Sequence, residues 1–203
     1  MPGQALPLGD EREQLVAFLQ QQRDGIRFAA FGLTDDQARL APSTSTLSVG
    51  GLIKHVTDME RSWSAMVTPE PGDAGTDEAG YADSFRLGAD ETLASALDTY
   101  AEVCRRTDEI VRSHSLDHPV PVPQGVPWFP PDIDAWSVRW VILHLIEETA
   151  RHAGHADIVR ESIDGATMYE LMAGAEGWPA TDWLQPWSPD RAASARTEFS
   201  AEV

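Results

Sequence analysis

Glu148 and His152 stand four residues apart, with His144 four before the glutamate and His155 three after the histidine. In a helix that spacing puts the Cβ atoms of Glu148 and His152 ~6 Å apart on one face, so both side chains can converge on one ion. Both also fall on an apolar seam, which runs Val138, Val141, Leu145, Glu148, His152, His155, Val159 in steps near three and four. A seam faces other helices, where an unpaired charge costs several kcal/mol unless it is paired or ligated. A third ligand from another helix would tie two elements together. His55, in the apolar stretch SVGGLIKHVTDMERSW, is the only histidine on the earlier helices. Two histidines and a carboxylate leave coordination positions open, the pattern of catalytic zinc, and they also suit non-haem iron. Spacing alone does not separate this from an intrahelical Glu148–His152 ion pair beside a hydrogen-bonded core histidine, since E-x-x-x-H arises often by chance. His144 reads as a group one turn above the site, and His155 as either a donor to a ligand or a solvent-facing residue.

Four long helical patterns must position these groups. The first covers about Asp10 to Phe31, with Leu15, Phe18, Leu19, Ile26 and Phe28 apolar; Thr34 then caps one short turn ending near Leu40. Ser48 caps a second helix whose stripe is Leu52, Val56, Met59, Trp63 and Met66, stopping before Pro69. The acidic, glycine-rich residues 70–89 read as a solvated excursion. A third helix from about Asp90 to Ser113 carries Leu93, Leu97, Tyr100, Cys104 and Val111 on one face. Six prolines between His114 and Asp134 exclude helix and central strand, so that stretch is a long crossover. The fourth helix runs from about Ala135 to Glu161, followed by the short apolar MYELM and the Trp-rich GWPATDWLQPW. These patterns predict an all-α four-helix bundle with a long crossover between helices three and four and a Trp-rich C-terminal extension. They predict one domain over 1–187 and a polar tail over 188–203.

A formal charge of −18, from 33 acidic and 15 basic residues, argues against nucleic acid or an anionic membrane surface as partner, because both select for Lys/Arg patches. No run approaches the ~18 consecutive apolar residues of a membrane span. The single cysteine and an N-terminus with no basic-then-apolar segment predict a cytoplasmic protein.

The segment LSVGGLIKHVTDMERSW resembles the second helix of DinB-like proteins, whose metal-binding histidine is followed by an E-x-x-W pattern, here Glu60 and Trp63. HLIEETARHAGHADIVRE resembles their last bundle helix, and its Glu148-Thr149-Ala150-Arg151-His152 matches the form found in the mycothiol-dependent maleylpyruvate isomerase branch. Similarity extends to DGATMYELMAGAEGWPATDWLQPW. The resemblance implies the bundle fold and a divalent metal on His55, Glu148 and His152, zinc first, with nickel or iron as alternatives. It further implies a thiol-transferase or thiol-dependent isomerase role, and a homodimer.

Such a metal would stabilise a thiolate at neutral pH, where a free thiol of pKa ~8.5 is mostly protonated. Cys104, in a core stripe, is a poor source of that thiol, so the expected nucleophile is a low-molecular-weight thiol such as mycothiol and the partner a small electrophile. No catalytic side chain is singled out. Arg151 and Arg160 are candidate anchors for cofactor carboxylates, against surface ion pairs with Glu147 and Glu161. Val126–Pro130 and Trp178, Trp183 and Trp187, flanking the fourth helix, are expected to wall a pocket above the metal. Two rival readings are a metal-dependent hydrolase, with His144 or His155 as base, and a non-catalytic protein whose metal only staples helices together.

Overall fold

The computed structural model describes residues 3–69 and 78–190, with Glu78 and Ala79 described in backbone only. The elements are α1 (Glu11–Ala30), α2 (Asp35–Arg39), α3 (Val49–Val67), α4 (Glu78–Ser84), α5 (Leu93–Ser113), β1 (Pro119–Pro121), β2 (Ala135–Ser137), α6 (Val138–Asp164) and α7 (Met168–Glu176). The fold is all-α apart from the two short strands. Side-chain caps set the helix starts. Asp10, Ser48, Thr92 and Ser137 accept from the backbone N–H groups of Glu13, Gly51, Ser95 and Trp140. Thr34 and Gln37 form a capping box on α2. α6 ends at Gly165, whose φ of 77° is the left-handed conformation glycine adopts without strain.

The long helices α1, α3, α5 and α6 pack lengthwise, α1 against α6, and α3 against both α5 and α6. Their apolar side chains separate into two clusters. One gathers Ile26, Leu52, Ile53, Val56, Tyr100, Ala153 and Ala156; the other gathers Leu19, Val67, Val111, Trp136, Val141, Ile142 and Leu145. Between them every long helix contributes buried polar residues: Arg23 and Asp24 from α1, Thr57 and Glu60 from α3, Thr107 from α5, Thr149 and His152 from α6. This mid-height layer is held by Arg23, whose guanidinium grips both oxygens of Glu60 and reaches Asp108 at 2.9 Å. Ion pairs buried this way are tolerated only when fully bonded.

Two sequence expectations change. The fourth helix starts at Val138 rather than Ala135, because Ala135–Ser137 pairs antiparallel with Pro119–Pro121, setting buried Val120 opposite Trp136. The crossover thus folds back on itself as a short ribbon, where prolines are allowed because no central ladder needs their missing N–H. Part of the excursion at 70–89 lies outside the described residues, but its second half is not a solvated loop. α4 brings Ser84 into the interior, and Leu87 joins the core against α3. Gly50 and Gly51 make this packing possible: a Cβ on Gly50 would meet Leu87, and one on Gly51 would run into the Phe85 carbonyl. Arg39 then binds the carbonyls of Gly88 and Glu91, and Lys54 the Glu91 carboxylate at 2.9 Å. The polar tail lies, from residue 191 onward, outside the described residues. No helix among the described residues is long and apolar enough to cross a membrane.

Candidate active site

His55 projects from the second turn of α3 toward α6, only 6 % exposed. Its ring lies 4.7 Å, centroid to centroid, from that of His152. Phe85 stacks on it at 3.7 Å and 18°, Tyr81 meets it edge-on, and its Nδ1 is 3.0 Å from the Ser84 hydroxyl. Burial, reinforced by neighbouring His152, pushes the His55 imidazole down to about 4, so the ring is neutral at pH 7. His152 is also held below the ordinary histidine value by burial, which outweighs the opposing pull of Glu148. Two neutral imidazoles from facing helices therefore share one interior spot, each with a lone pair to offer.

Glu148 lies one turn before His152 on α6, its Oε2 3.6 Å from His152 Nε2. Its side chain is 34 % exposed against 10 % for His152, so the carboxylate sits at the rim of the site. His152 Nδ1 is buried with no hydrogen-bond partner among the protein groups. Orphaned buried nitrogens are rare in folded chains and often mark the place of a bound group. The fold thus brings His55 and His152 together, and Glu148 stands beside His152. Among the described residues, though, no three His, Cys, Asp or Glu side chains stand close enough to hold an ion as they are.

The remaining sequence candidates separate. His144, a turn before Glu148, stacks parallel on Trp140 at 5.3 Å and lies 4.2 Å from Trp63, its imidazole lowered by burial. It belongs to an aromatic cluster with Trp136 and Phe129. His155 is exposed, its ring 5.5 Å from that of His152. Arg151 is exposed and binds Glu147 weakly at 3.4 Å. Arg160 differs from both expectations for it: fully buried, it binds both oxygens of Asp164 and the carbonyls of Ala29 and Phe31, and stacks on Trp187. It pins α6 to the end of α1, leaving Arg151 as the arginine whose head group is open to a ligand. Cys104 is buried, donates to Glu60, and has its thiol pushed up to about 12 by burial and by that carboxylate. A thiol so raised is protonated at neutral pH.

The expected aromatic wall is not one wall. Phe129 and Trp136 pack at the start of α6, whereas Trp187 donates to Asp164 at its end. A helix of 27 residues separates the two ends by about 40 Å. Trp128 and Trp183 face solvent. What surrounds the imidazole pair instead is α4 and the residue after it, Tyr81, Ser84 and Phe85, which the sequence reading missed. The apolar residues Tyr81, Phe85 and Leu87, spaced through an acidic segment, were the available signal.

No curated protein matches the chain. A family model described as mycothiol-S-transferase matches residues 14–165, from the first turn of α1 to the end of α6, three quarters of the chain. With its imidazole pair inside that span, the chain belongs to the mycothiol S-transferase family.

Proposed function

We propose that this protein is a divalent-metal-dependent mycothiol S-transferase, with His55, Glu148 and His152 as the metal-holding residues and a small electrophile as second substrate. Family membership supports the transferase activity and the thiol. The observation that carries the metal is the neutral His55–His152 pair, with centroids 4.7 Å apart, one nitrogen of His152 buried and unpartnered. That donor set fits a cation: two imidazoles that cost nothing to deprotonate, and a rim carboxylate free to rotate from His152 onto the ion. The metal we expect is zinc, with nickel or iron as alternatives suited to the same donors. A bound divalent cation would lower the thiol pKa and hold sulfur as the thiolate.

The chain's own residues do the rest. α3 and α6 fix the two imidazoles in the dry interior, while Glu148, half-exposed, marks the side from which solvent and ligand reach them. Beside it, Trp140 and His144 offer a partly open aromatic flank, and Arg151 a charged one, for the bodies of thiol and electrophile. The four long helices are proposed to form the DinB-like bundle. Titrating mycothiol into the metal-loaded and metal-free protein, then assaying free thiol after adding an alkyl halide or epoxide, tests the reading. Binding and consumption are expected with the loaded protein alone; equal binding to both forms would overturn it.

A further inference from the structure

The Ser84 hydroxyl has two partners. It is 2.7 Å from the Tyr81 carbonyl and 3.0 Å from His55 Nδ1. A carbonyl oxygen only accepts, so the one hydroxyl proton goes to Tyr81. The bond to His55 must then be donated by the ring: Nδ1 carries the proton, and the lone pair of the neutral imidazole is on Nε2. Such a hydrogen bond, setting which ring nitrogen is free, is how proteins orient histidine ligands.

Ser84 is held in place from outside the site. Phe85 and Leu87, directly after it, seat their backbone and side chain on α3 where Gly50 and Gly51 lack a Cβ, one turn before His55. The same helix therefore supplies both the imidazole and the notch that receives its hydrogen-bond acceptor. Phe85 closes one face of the ring, stacked at 3.7 Å and 18°.

We propose that Ser84 is the positioning residue for His55, locking it as the Nδ1–H tautomer so that Nε2 is the atom presented toward His152. The proposal rests on the metal reading for its purpose but not for its test. In the full-length metal-free protein, long-range ¹⁵N–¹H spectra, with the His55 signals identified by their loss in His55→Asn, should show the proton on Nδ1. Ser84→Ala should give a mixture of tautomers and weaken zinc binding, measured by competition with a chromophoric chelator, by about 10–100-fold. Ser84→Thr, which keeps the hydroxyl, should restore both. Gly51→Ala, which displaces the Phe85 backbone, should resemble Ser84→Ala. A wild-type His55 protonated on Nε2, or a tautomer unchanged in Ser84→Ala, would overturn the proposal. Absence of zinc binding by a wild type with the Nδ1–H tautomer intact would overturn the metal reading while leaving Ser84's control of the ring standing.

Discussion

Glu148 is the least buried of the three residues proposed to hold the metal, and so the one whose loss should separate chemistry from folding. Replacing it by Gln removes the charge and keeps the shape. The expected result is a protein with unchanged thermal stability and at least tenfold weaker zinc binding, by chelator competition; unchanged affinity would remove Glu148 from the set. Cys104 supplies the complementary test. With its thiol raised to about 12 inside the core, it should resist iodoacetamide in the native protein and react fully in denaturant. Cys104→Ala should keep its transferase activity within about twofold, and a large loss would reinstate the chain's own sulfur as nucleophile. The Glu148–His152 spacing was legible in the sequence because residues four apart share a helix face, and His55 because it is the only histidine before residue 114. Ser84 was not legible, since its role depends on a glycine notch in another helix and no local pattern encodes that.

At the scale of elements, α6 does two jobs. Its middle carries the candidate site, and its C-terminal end is anchored by Arg160, whose guanidinium is taken up by Asp164 and by the carbonyls of Ala29 and Phe31 at the end of α1. Removing the arginine strands a buried carboxylate, so Arg160→Met should cost about 3–5 kcal/mol in urea denaturation, whereas Arg151→Met on the exposed face should cost under about 1. Equal losses would contradict the anchoring role. The long helices were read from sequence to within a few residues because Asp10 and Ser48 stand in the chain before periodic apolar runs, whereas the cap at Ser137 was passed over and α6 was started at Ala135. The β ribbon and α4 escaped for opposite reasons. Prolines argued against a central strand and left an edge ribbon unread, and acidic composition argued against packing, yet Val120 and Leu87 are buried.

Across the whole molecule, a polar layer at mid-height divides two apolar clusters, and the imidazole pair lies beside it. Keeping His55 neutral has a measurable consequence. Its folded value of about 4 lies below the ordinary 6.5, so the folded state binds fewer protons between those limits; stability is full above pH 6.5 and is lost as pH falls toward 4. Asp157, raised to about 6 by burial, works in the opposite sense, and so the informative quantity is a difference between proteins. In the metal-free state, Tm should fall less steeply from pH 6.5 to 4 in His55→Asn than in wild type; parallel curves would mean His55 is not desolvated in the fold. The central claim is that a metal at His55, Glu148 and His152 receives the sulfur of mycothiol, and cobalt substitution tests it most directly. Adding mycothiol to the Co(II)-loaded protein should produce sulfur-to-cobalt charge-transfer absorption in the near ultraviolet, absent from His152→Ala. A spectrum that stays unchanged while the same sample consumes thiol and electrophile would contradict the account.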